Sequence, residues 1–389
     1  MNLLKPAVLM TLAGLAAPAL ATNGTMPHGY GIKAQGMGGA SIALPQDAIA
    51  AANNPAGMAI VGNRLDAGLT WLKADRGATI GGTYLSANDK DNYFIPDFGY
   101  NRVIDDRLSA GISVIGNGVG TRYSHPVGPP TNSNAGSELM QVVLSPTLAY
   151  KISPGQAIGV SLNVAYQRLD IRGVEHVGLA NQGFEHAFGY GLALGWSGKL
   201  SDQVTLGASY VSKTHMGKLD KYRSLLAGGG EFDIPEHFGI GIAYMPTPTV
   251  TLAADALRVS WSDIRSIGNS LTSAGAFGAD NGPGFGWKDQ NVFRVGINVA
   301  ASDTLELRAG YSHGSQIIPS GETTLNYLAP VTPQKHLSAG LTWRLDKQVE
   351  MNLAYTRTFD SMVVGSGASL GIDPRHSQHL LGASVGWTY

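Results

Sequence analysis

One pattern in the sequence could support covalent catalysis. Gly310-Tyr311-Ser312-His313-Gly314 fits G-x-S-x-G, the motif in which many hydrolases place a nucleophilic serine. That serine needs a sharp turn between a strand and a helix, because the turn exposes its hydroxyl. Here the motif ends an alternating segment and enters a loop that contains Pro319. We therefore expect a chance match in a glycine-rich chain, and a lipid hydrolase stays open as an alternative.

The sequence gives no support for metal or cofactor chemistry, so we expect neither. The chain has no cysteine, which removes thiolate ligands, thiol nucleophiles and disulfides. His376 and His379 stand three apart in a segment that alternates like a strand, so they point to opposite faces and cannot share an ion. The net charge of −1 gives no reason to expect nucleic acid as a partner.

Four arginines are candidates for holding an acidic ligand. They lie at positions that we assign to the polar, lumen-facing side of alternating segments, and they are Arg168, Arg294, Arg308 and Arg344. In a desolvated pocket an arginine forms strong, often paired hydrogen bonds with a carboxylate. The alternative is a structural ion pair with Glu306, Glu350 or the N-terminal segment. We favour that structural role for any single one of the four.

These side chains are positioned by segments in which apolar and polar residues alternate. At the C-terminus Leu381, Ala383, Val385, Trp387 and Tyr389 share one parity, opposite Gly382, Ser384, Gly386 and Thr388. A period of two predicts a β-strand with one apolar face. In segments 293–299 and 305–311 charged residues occupy the opposite face. One face therefore suits lipid and the other a polar lumen.

The alternating segments predict an all-β, transmembrane, antiparallel β-barrel of about 14 strands over residues 64–389. Short connections alternate with long ones such as 116–138, 213–233 and 262–290. That is the arrangement of periplasmic turns and external loops in bacterial barrels. Tyrosine and tryptophan cluster at the predicted strand ends, as in aromatic girdles, whereas a soluble β-sandwich would have shorter strands and no such clustering. The segments are 65–73, 93–103, 108–115, 139–152, 158–171, 187–200, 204–212, 234–245, 250–261, 293–299, 305–311, 336–344, 349–356 and 381–389.

The first 21 residues predict a signal peptide. Lys5 precedes an apolar run over 7–20, which ends in the small-x-small site Ala19-Leu20-Ala21. The run is shorter than the roughly 20 residues of a membrane-spanning helix. We expect cleavage after Ala21 and a monomer in the outer membrane of a Gram-negative bacterium, in contact with outer-membrane lipid and lipopolysaccharide. The aromatic last strand is typical of barrels that the barrel-assembly machinery recognises.

Residues 22–63 do not alternate, and they are rich in glycine and alanine. A barrel of this width would enclose an open pore unless something filled it. We therefore predict that residues 22–63 form a hatch, or plug, inside the lumen. Asp47 before Ala48-Ile49-Ala50-Ala51-Ala52 predicts a short capped helix. Asn54 would end it, because the residue before Pro55 avoids the helical region.

This segment resembles the hatch of the FadL family of long-chain fatty-acid and hydrocarbon transporters. The residues that carry the resemblance are Gly36-Met37-Gly38-Gly39-Ala40-Ser41, Asp47-Ala48 and Asn54-Pro55-Ala56-Gly57-Met58. Downstream, Phe232-Asp233-Ile234-Pro235-Glu236, Trp261-Ser262, Trp287-Lys288-Asp289 and Arg308-Ala309-Gly310-Tyr311 follow in the family's order. The resemblance runs from about Gly29 to the C-terminus.

The resemblance implies a passive transporter of hydrophobic molecules, with long-chain fatty acids as our first expectation. Capture would occur at the external face, and release would occur sideways through the barrel wall. The implied hatch motif is Gly38, Gly39, Asp47, Asn54, Pro55 and Ala56, and the implied ligand contacts near the new N-terminus are Thr22 and Asn23. The alternatives are an uptake channel for aromatic or aliphatic hydrocarbons in the same family and a general porin, which would lack the hatch.

Overall fold

Fourteen antiparallel strands close into a barrel in the computed structural model of the chain, which describes residues 23–127, 133–175 and 178–389. In chain order they are β1 (Arg64–Ile80), β2 (Asn92–Val103), β3 (Leu108–Arg122), β4 (Gly136–Ser153), β5 (Gln156–Arg172), β6 (Glu185–Lys199), β7 (Val204–Val211), β8 (His237–Thr247), β9 (Val250–Val259), β10 (Gln290–Ala300), β11 (Leu305–Gly314), β12 (Lys335–Arg344), β13 (Val349–Met362) and β14 (Ile372–Thr388). Strands β1 and β14 pair along their whole length and close the sheet. The predicted strand count is confirmed, whereas the predicted signal peptide and Thr22 lie outside the described residues.

The remaining elements are short. Two further strands, Thr83–Ser86 and His215–Met216, extend β1 and β6 at their loop ends. The helical turns are Ile32–Gly36, Ala48–Ala52, Pro55–Ala59, Asp220–Tyr222, Ala227–Gly230, Trp261–Asp263, Arg265–Gly268, Ser320–Glu322, Leu325–Tyr327 and Gly367–Ser369. In the part of the chain that the structure describes, no helix is long and apolar enough to cross a bilayer.

The outer surface of the barrel is apolar over a broad band. Along β6, Phe188, Tyr190, Leu192 and Leu194 are all exposed, while Ala187 and Ala193, at positions of the opposite parity, are buried. Bulky side chains that point outward from every second position match a lipid-facing wall. Short turns such as 154–155 and 248–249 join the strands at one end, and the long loops lie at the other.

Several strands extend further toward the long-loop end than the sequence predicted. Residues 116–122 continue β3, and β4 begins at Gly136, so the prediction of a loop over 116–138 is wrong at both ends. The physical reason is that alternation is lost there. From Ser113 to Thr121 nearly every residue of β3 is buried. Asn117 and Thr121 contact the N-terminal segment and a loop on the inner face, and Val114 packs with Met140 and Val142 of the neighbouring strand on the other face. A strand that is covered on both sides gives no period of two.

The described part of the N-terminal segment, residues 23–63, packs against the inner face of the wall on all sides. Glycines of five different strands make room for it. A Cβ atom on any of them would lie 2.1 to 2.5 Å from an atom of this segment, and they are Gly99, Gly159, Gly207, Gly296 and Gly310. Glycine is the one residue that permits such close backbone approach. The interior is therefore filled by residues 23–63 and is not an open pore at this level.

Candidate functional site

Asn54 forms hydrogen bonds within the N-terminal segment and to the barrel wall. Its Oδ1 accepts a hydrogen bond from the backbone N of Ala56 at 3.1 Å, and so caps the turn Pro55–Ala59. Its Nδ2 donates to the carbonyls of Ile42 and of Trp196 in β6, at 2.8 and 2.9 Å. Pro55 is the first residue of that turn, where its missing N–H costs nothing. Asn54, Pro55 and Ala56 thus act in this structure through backbone geometry.

Gly38 and Gly39 have backbone conformations that glycine alone adopts readily. Their φ angles are +66° and +88°. A Cβ on Gly39 would lie 1.8 Å from the carbonyl oxygen of His28, so the two parts of the segment cross at this glycine. Nη1 of Arg294 in β10 donates to the Gly39 carbonyl at 3.3 Å. The crossing point is therefore also a contact with the wall.

Buried charges fix the part of the segment that lies near the short-turn end. Lys33 pairs with Glu350 at 2.5 Å, and Arg64 pairs with both Asp66 and Glu350 at 2.6 and 2.7 Å. Asp66 also accepts a hydrogen bond from the N of Ala48. Asp47 caps the turn Ala48–Ala52 through the N of Ile49, as predicted. Burial, helped by the nearby Asp66 carboxylate, raises the pKa of Asp47 to about 6.

The structure separates the four candidate arginines into different roles. Arg308 pairs with Glu306 at 2.5 Å and also donates to Thr342 in β12, and Arg344 pairs with the same Glu306. Both therefore have the structural ion-pair role that the sequence favoured. Arg168 does not face the lumen, and that prediction is wrong: it shares parity with the exposed Leu162 and reaches Glu138 on the outer face. An arginine is tolerated there because it lies at the outer end of β5, beyond the apolar band.

Arg294 is the one candidate arginine that borders an internal cavity. The cavity lies between the start of the N-terminal segment and β7 to β10, and its other lining includes Asn23, Met26, Tyr30, Ile42 and His237. Among the described residues, Nε of Arg294 and both polar side-chain atoms of Asn23 are buried without a hydrogen-bond partner. Burial raises the pKa of the Tyr30 phenol well above its usual value. The cavity therefore offers unused donors within a lining that is mostly apolar.

The cavity is closed in this structure. Its volume of about 30 Å³ equals the space of roughly one water molecule. A second cavity of similar size extends it toward β3 and shares Met26, Tyr30, Ala52 and His237 with the first. Even a benzene ring needs a void on the order of 150 Å³. A hydrophobic ligand could therefore occupy this place only after the N-terminal segment moves.

The barrel wall is interrupted between β2 and β3. Their register begins with Val103 opposite Ser109 and ends with Phe98 opposite Val114, although both strands continue beyond it. Among the described residues, none of 92–97 pairs with 115–121. Pro96 pairs with Leu69 of β1 but has no partner on the side that faces β3, where a residue without an N–H is tolerated because no ladder bond is needed. We name this interruption the wall gap. It adjoins the second cavity, since that cavity is lined by Ile115 and Asn117 of β3.

Tyr93 fills the wall gap. Its side chain is buried, and a Cβ on Gly120 of β3 would lie 3.4 Å from the Tyr93 hydroxyl. That hydroxyl donates to the carbonyl of Lys90 at 2.7 Å and accepts from Nη2 of Arg76 at 2.9 Å. The ammonium group of Lys90 then reaches Glu138 in β4, at 2.9 Å. The ring of Tyr93, fixed by the hydrogen bonds of its hydroxyl, therefore fills the interruption in the wall.

Apolar side chains of the external loops cover the other end of the barrel. Trp261 and Trp287 meet edge to face at 5.2 Å, and Nε1 of Trp287 donates to Asn326 in a neighbouring loop. A small void beside them is lined almost wholly by apolar residues, among them Leu225, Leu226, Phe277, Phe285, Leu325 and Leu328. Gly24 of the N-terminal segment packs directly against Trp261. The loop cluster and the N-terminal segment are therefore in contact.

The structure gives Ser312 no catalytic context. The residue lies inside β11, fully buried, with Arg294 and His336 as its cross-strand neighbours. The next helical turn begins only at Ser320, with five residues between it and the end of β11, so the sharp strand-turn-helix arrangement of a nucleophilic serine is absent from this part of the described chain. His376 is buried in the interior, whereas His379 contacts Tyr355 on the outer face. Within residues 23–127, 133–175 and 178–389 no group of acidic or histidine side chains could hold a metal ion.

A filled β-barrel with an internal pocket, an apolar loop cluster and an interrupted wall fits a membrane transport protein better than an open pore. The model of the family described as outer membrane protein transport protein (OMPP1/FadL/TodX) matches residues 13–379, and the chain belongs to this family. It is therefore a transporter of hydrophobic compounds in the outer membrane of a Gram-negative bacterium, and not an enzyme. A comparison with curated proteins found no match.

Solved structures of three similar proteins have the same fold. The Pseudomonas putida toluene transporter TodX is 20% identical, with a TM-score of 0.71, over 93% of this chain and 99% of that one. The Ralstonia pickettii toluene transporter TbuX is 17% identical, with a TM-score of 0.69, over 93% and 99%. A Pseudomonas aeruginosa FadL homologue is 16% identical, with a TM-score of 0.69, over 96% and 99%. At these identities the similarity establishes the fold and not the ligand.

Proposed function

We propose that this protein transports long-chain fatty acids and binds their carboxylate through Arg294. The observation that carries the proposal is a buried guanidinium at the internal cavity, with its Nε unused among the described residues. The amide of Asn23 is unused in the same cavity. A carboxylate could accept hydrogen bonds from both, and charge-assisted bonds of this kind are about twice as strong as neutral ones. The neighbouring Met26, Ile42 and Val292 would receive the first part of the acyl chain.

The ligand would enter from the loop cluster and leave through the wall gap. Each CH₂ group gains about 0.8 kcal/mol on leaving water, so a path from apolar loops to cavity to bilayer keeps the acyl chain out of the aqueous phase. The second cavity supports this path, because it leads from Tyr30 to Ile115 at the edge of the gap. Such transport needs no energy source in the membrane and would be driven by consumption of the ligand inside the cell.

A channel for monoaromatic hydrocarbons is the second candidate. The specific observation in its favour is that two of the similar structures are described as toluene transporters. A small neutral ring would have no use for a buried cation, so the two candidates differ in their need for Arg294. A general porin is disfavoured, because residues 23–63 fill the interior.

Deletion of the gene, followed by complementation, tests the proposed function. We expect slow growth on oleate as sole carbon source, rescue by the wild-type gene, and unchanged growth on glucose and on short acids that cross general porins. A defect on toluene alone would replace the fatty acid by the aromatic candidate. Normal growth of the deletion strain on every hydrophobic substrate would contradict both.

Replacing Tyr93 by alanine is expected to speed release through the wall gap. If displacement of the ring limits release, lowering that barrier by about 1 kcal/mol raises the rate about fivefold. The larger ring of Tyr93→Trp should lower the rate. Transfer of radiolabelled oleate into the lipid of proteoliposomes measures both. Tyr190→Ala is the matched control, because Tyr190 faces lipid on β6, away from the gap. Unchanged rates for both Tyr93 variants, in barrels that still migrate as folded species when unboiled, would place the exit elsewhere.

A further inference from the structure

Four cations gather on the outside of the barrel at its long-loop end. They are Lys90, before β2, and Arg122, Arg168 and Arg172, at the outer ends of β3 and β5. Three of them converge on a single carboxylate, that of Glu138, with N to O distances of 2.9 Å for Lys90, 3.6 Å for Arg122 and 3.3 Å for Arg168. Arg172 pairs with Asp170 at 2.5 Å. These four cations and the two carboxylates that they contact sum to two positive charges, and the nearest further acids in the chain are Asp89 and Asp91, on either side of Lys90, and Glu175, three residues after Arg172.

In the strand register, no side chain of the intervening strand separates two of these cations. Arg122 of β3 and Arg172 of β5 both lie opposite Gly136 of β4, which has no side chain between them. Their side chains are 35% and 41% exposed, so their remaining N–H groups are accessible. Each guanidinium carries five donors, and each of the two uses one contact to a carboxylate among the described residues.

The position of the cluster points to a membrane lipid. Arg168 has the same parity as the outward-facing Val164 and Tyr166, so the cluster stands directly above the apolar band. Tyr166 packs against Phe188 of β6 at 5.2 Å, and the Arg168 guanidinium lies 4.2 Å from the centre of the Phe184 ring. Aromatic side chains below cations mark the level at which lipid head groups meet the hydrocarbon region.

We propose that Lys90, Arg122, Arg168 and Arg172 bind the phosphate groups of a lipopolysaccharide molecule in the outer leaflet. The planar fork of arginine matches two oxygens of a phosphate group, which makes arginine suited to this ligand. The acyl chains would lie along the apolar surface below, against Tyr166 and Phe188. The bound lipid would thus stand beside the mouth of the wall gap, since Lys90 is also the residue that holds Tyr93.

Native mass spectrometry of the detergent-solubilised full chain tests this site. The probes are bisphosphorylated lipid A, the same lipid A after removal of both phosphates, and inorganic phosphate. We expect one tight site for bisphosphorylated lipid A, with affinity that falls as salt is raised. Arg122→Gln combined with Arg172→Gln should weaken it about 100-fold, since one lost charged contact is worth about tenfold. Arg375→Gln is the control for the loss of a surface arginine, because Arg375 is also exposed and pairs with Asp360 elsewhere on the outer rim.

Each remaining outcome counts against the proposal. Equal affinity for dephosphorylated lipid A would show that the acyl chains alone hold the lipid. Saturation by inorganic phosphate at the same concentration would identify a site for free anions and not for a lipid. Equal loss in the Arg375→Gln variant would reduce the effect to overall charge. Unchanged migration of unboiled protein on denaturing gels establishes that the double variant is folded.

Discussion

Replacing Arg294 by glutamine is expected to weaken the binding of oleate by about 30-fold or more and to leave the binding of toluene unchanged. Removing one partner of a buried charge pair costs about 2 to 5 kcal/mol, and about 2 kcal/mol is a factor of roughly 30 in affinity. The guanidinium would be the charged partner of the ligand carboxylate, whereas an aromatic ring has no such group. Isothermal titration calorimetry of the purified barrel with each ligand measures both affinities.

Two controls separate a ligand contact from a structural role. Arg294 also donates to the Gly39 carbonyl, so the variant could disturb the N-terminal segment without touching the ligand. Oleyl alcohol has the same chain without the carboxylate, and its binding should be insensitive to Arg294→Gln. An equal loss for oleate and for oleyl alcohol would contradict the carboxylate contact. Arg258→Gln, on the outer face of β9, provides the matched loss of one arginine outside the cavity.

The dual contacts of Arg294 suggest how ligand binding and opening are linked. Asp255, on the neighbouring strand, accepts hydrogen bonds from the backbone N of Ser41 and of Ile42 at 2.8 and 3.2 Å. Together with the bond from Arg294 to Gly39, these contacts hold residues 39–42 against the wall. A carboxylate that binds Nε of Arg294 would draw the guanidinium into the cavity and away from the Gly39 carbonyl, to which Nη1 donates. Binding would therefore weaken the contacts that keep the cavity closed.

The sequence predicted the barrel because one physical constraint acts on nearly every strand. In the apolar band one face meets lipid and the other the interior, so alternation appears wherever both conditions hold. Beyond the apolar band this constraint no longer acts. The sequence therefore does not show that β3 continues to Arg122 or that β4 begins at Gly136. A charged residue in an alternating segment suggests the interior face, and for that reason the sequence places Arg168 in the lumen. Its parity with Leu162 and Val164 already indicated the outer face.

The candidate site was less accessible to sequence reasoning. Asp47 and Asn54 were identified because caps and X-Pro steps have local rules, although the helical turn that follows Asn54 was not expected. Tyr30, His237 and Tyr93 were missed, since their roles depend on contacts between residues far apart in the sequence. One local signal for the wall gap did exist. Pro96 stands in the middle of a predicted strand, and a proline there indicates an unpaired edge.

Locking Ile42 to the wall is expected to stop transport and to do so reversibly. A Cβ on Gly241 of β8 would lie 2.9 Å from the Cβ of Ile42, so cysteines at both positions need only a small shift to reach the 3.5 to 4.5 Å of a disulfide. The chain has no other cysteine to interfere. Because the cavity holds only about 30 Å³ when closed, a segment that cannot leave the wall should abolish oleate uptake. Addition of a reductant should restore it.

The controls distinguish the lock from the crowding that the substitutions cause. A Cβ on Gly241 also comes 2.4 Å from Oδ1 of Asp255, so each single variant must be measured beside the pair. Cysteines at Gly36 and Gly340 form a second lock, in the part of the segment that the Lys33 and Glu350 ion pair already fixes. That lock should leave uptake unchanged, because this part need not move. Full uptake by the oxidised Ile42→Cys and Gly241→Cys variant would show that ligands pass without displacement of residues 39–42.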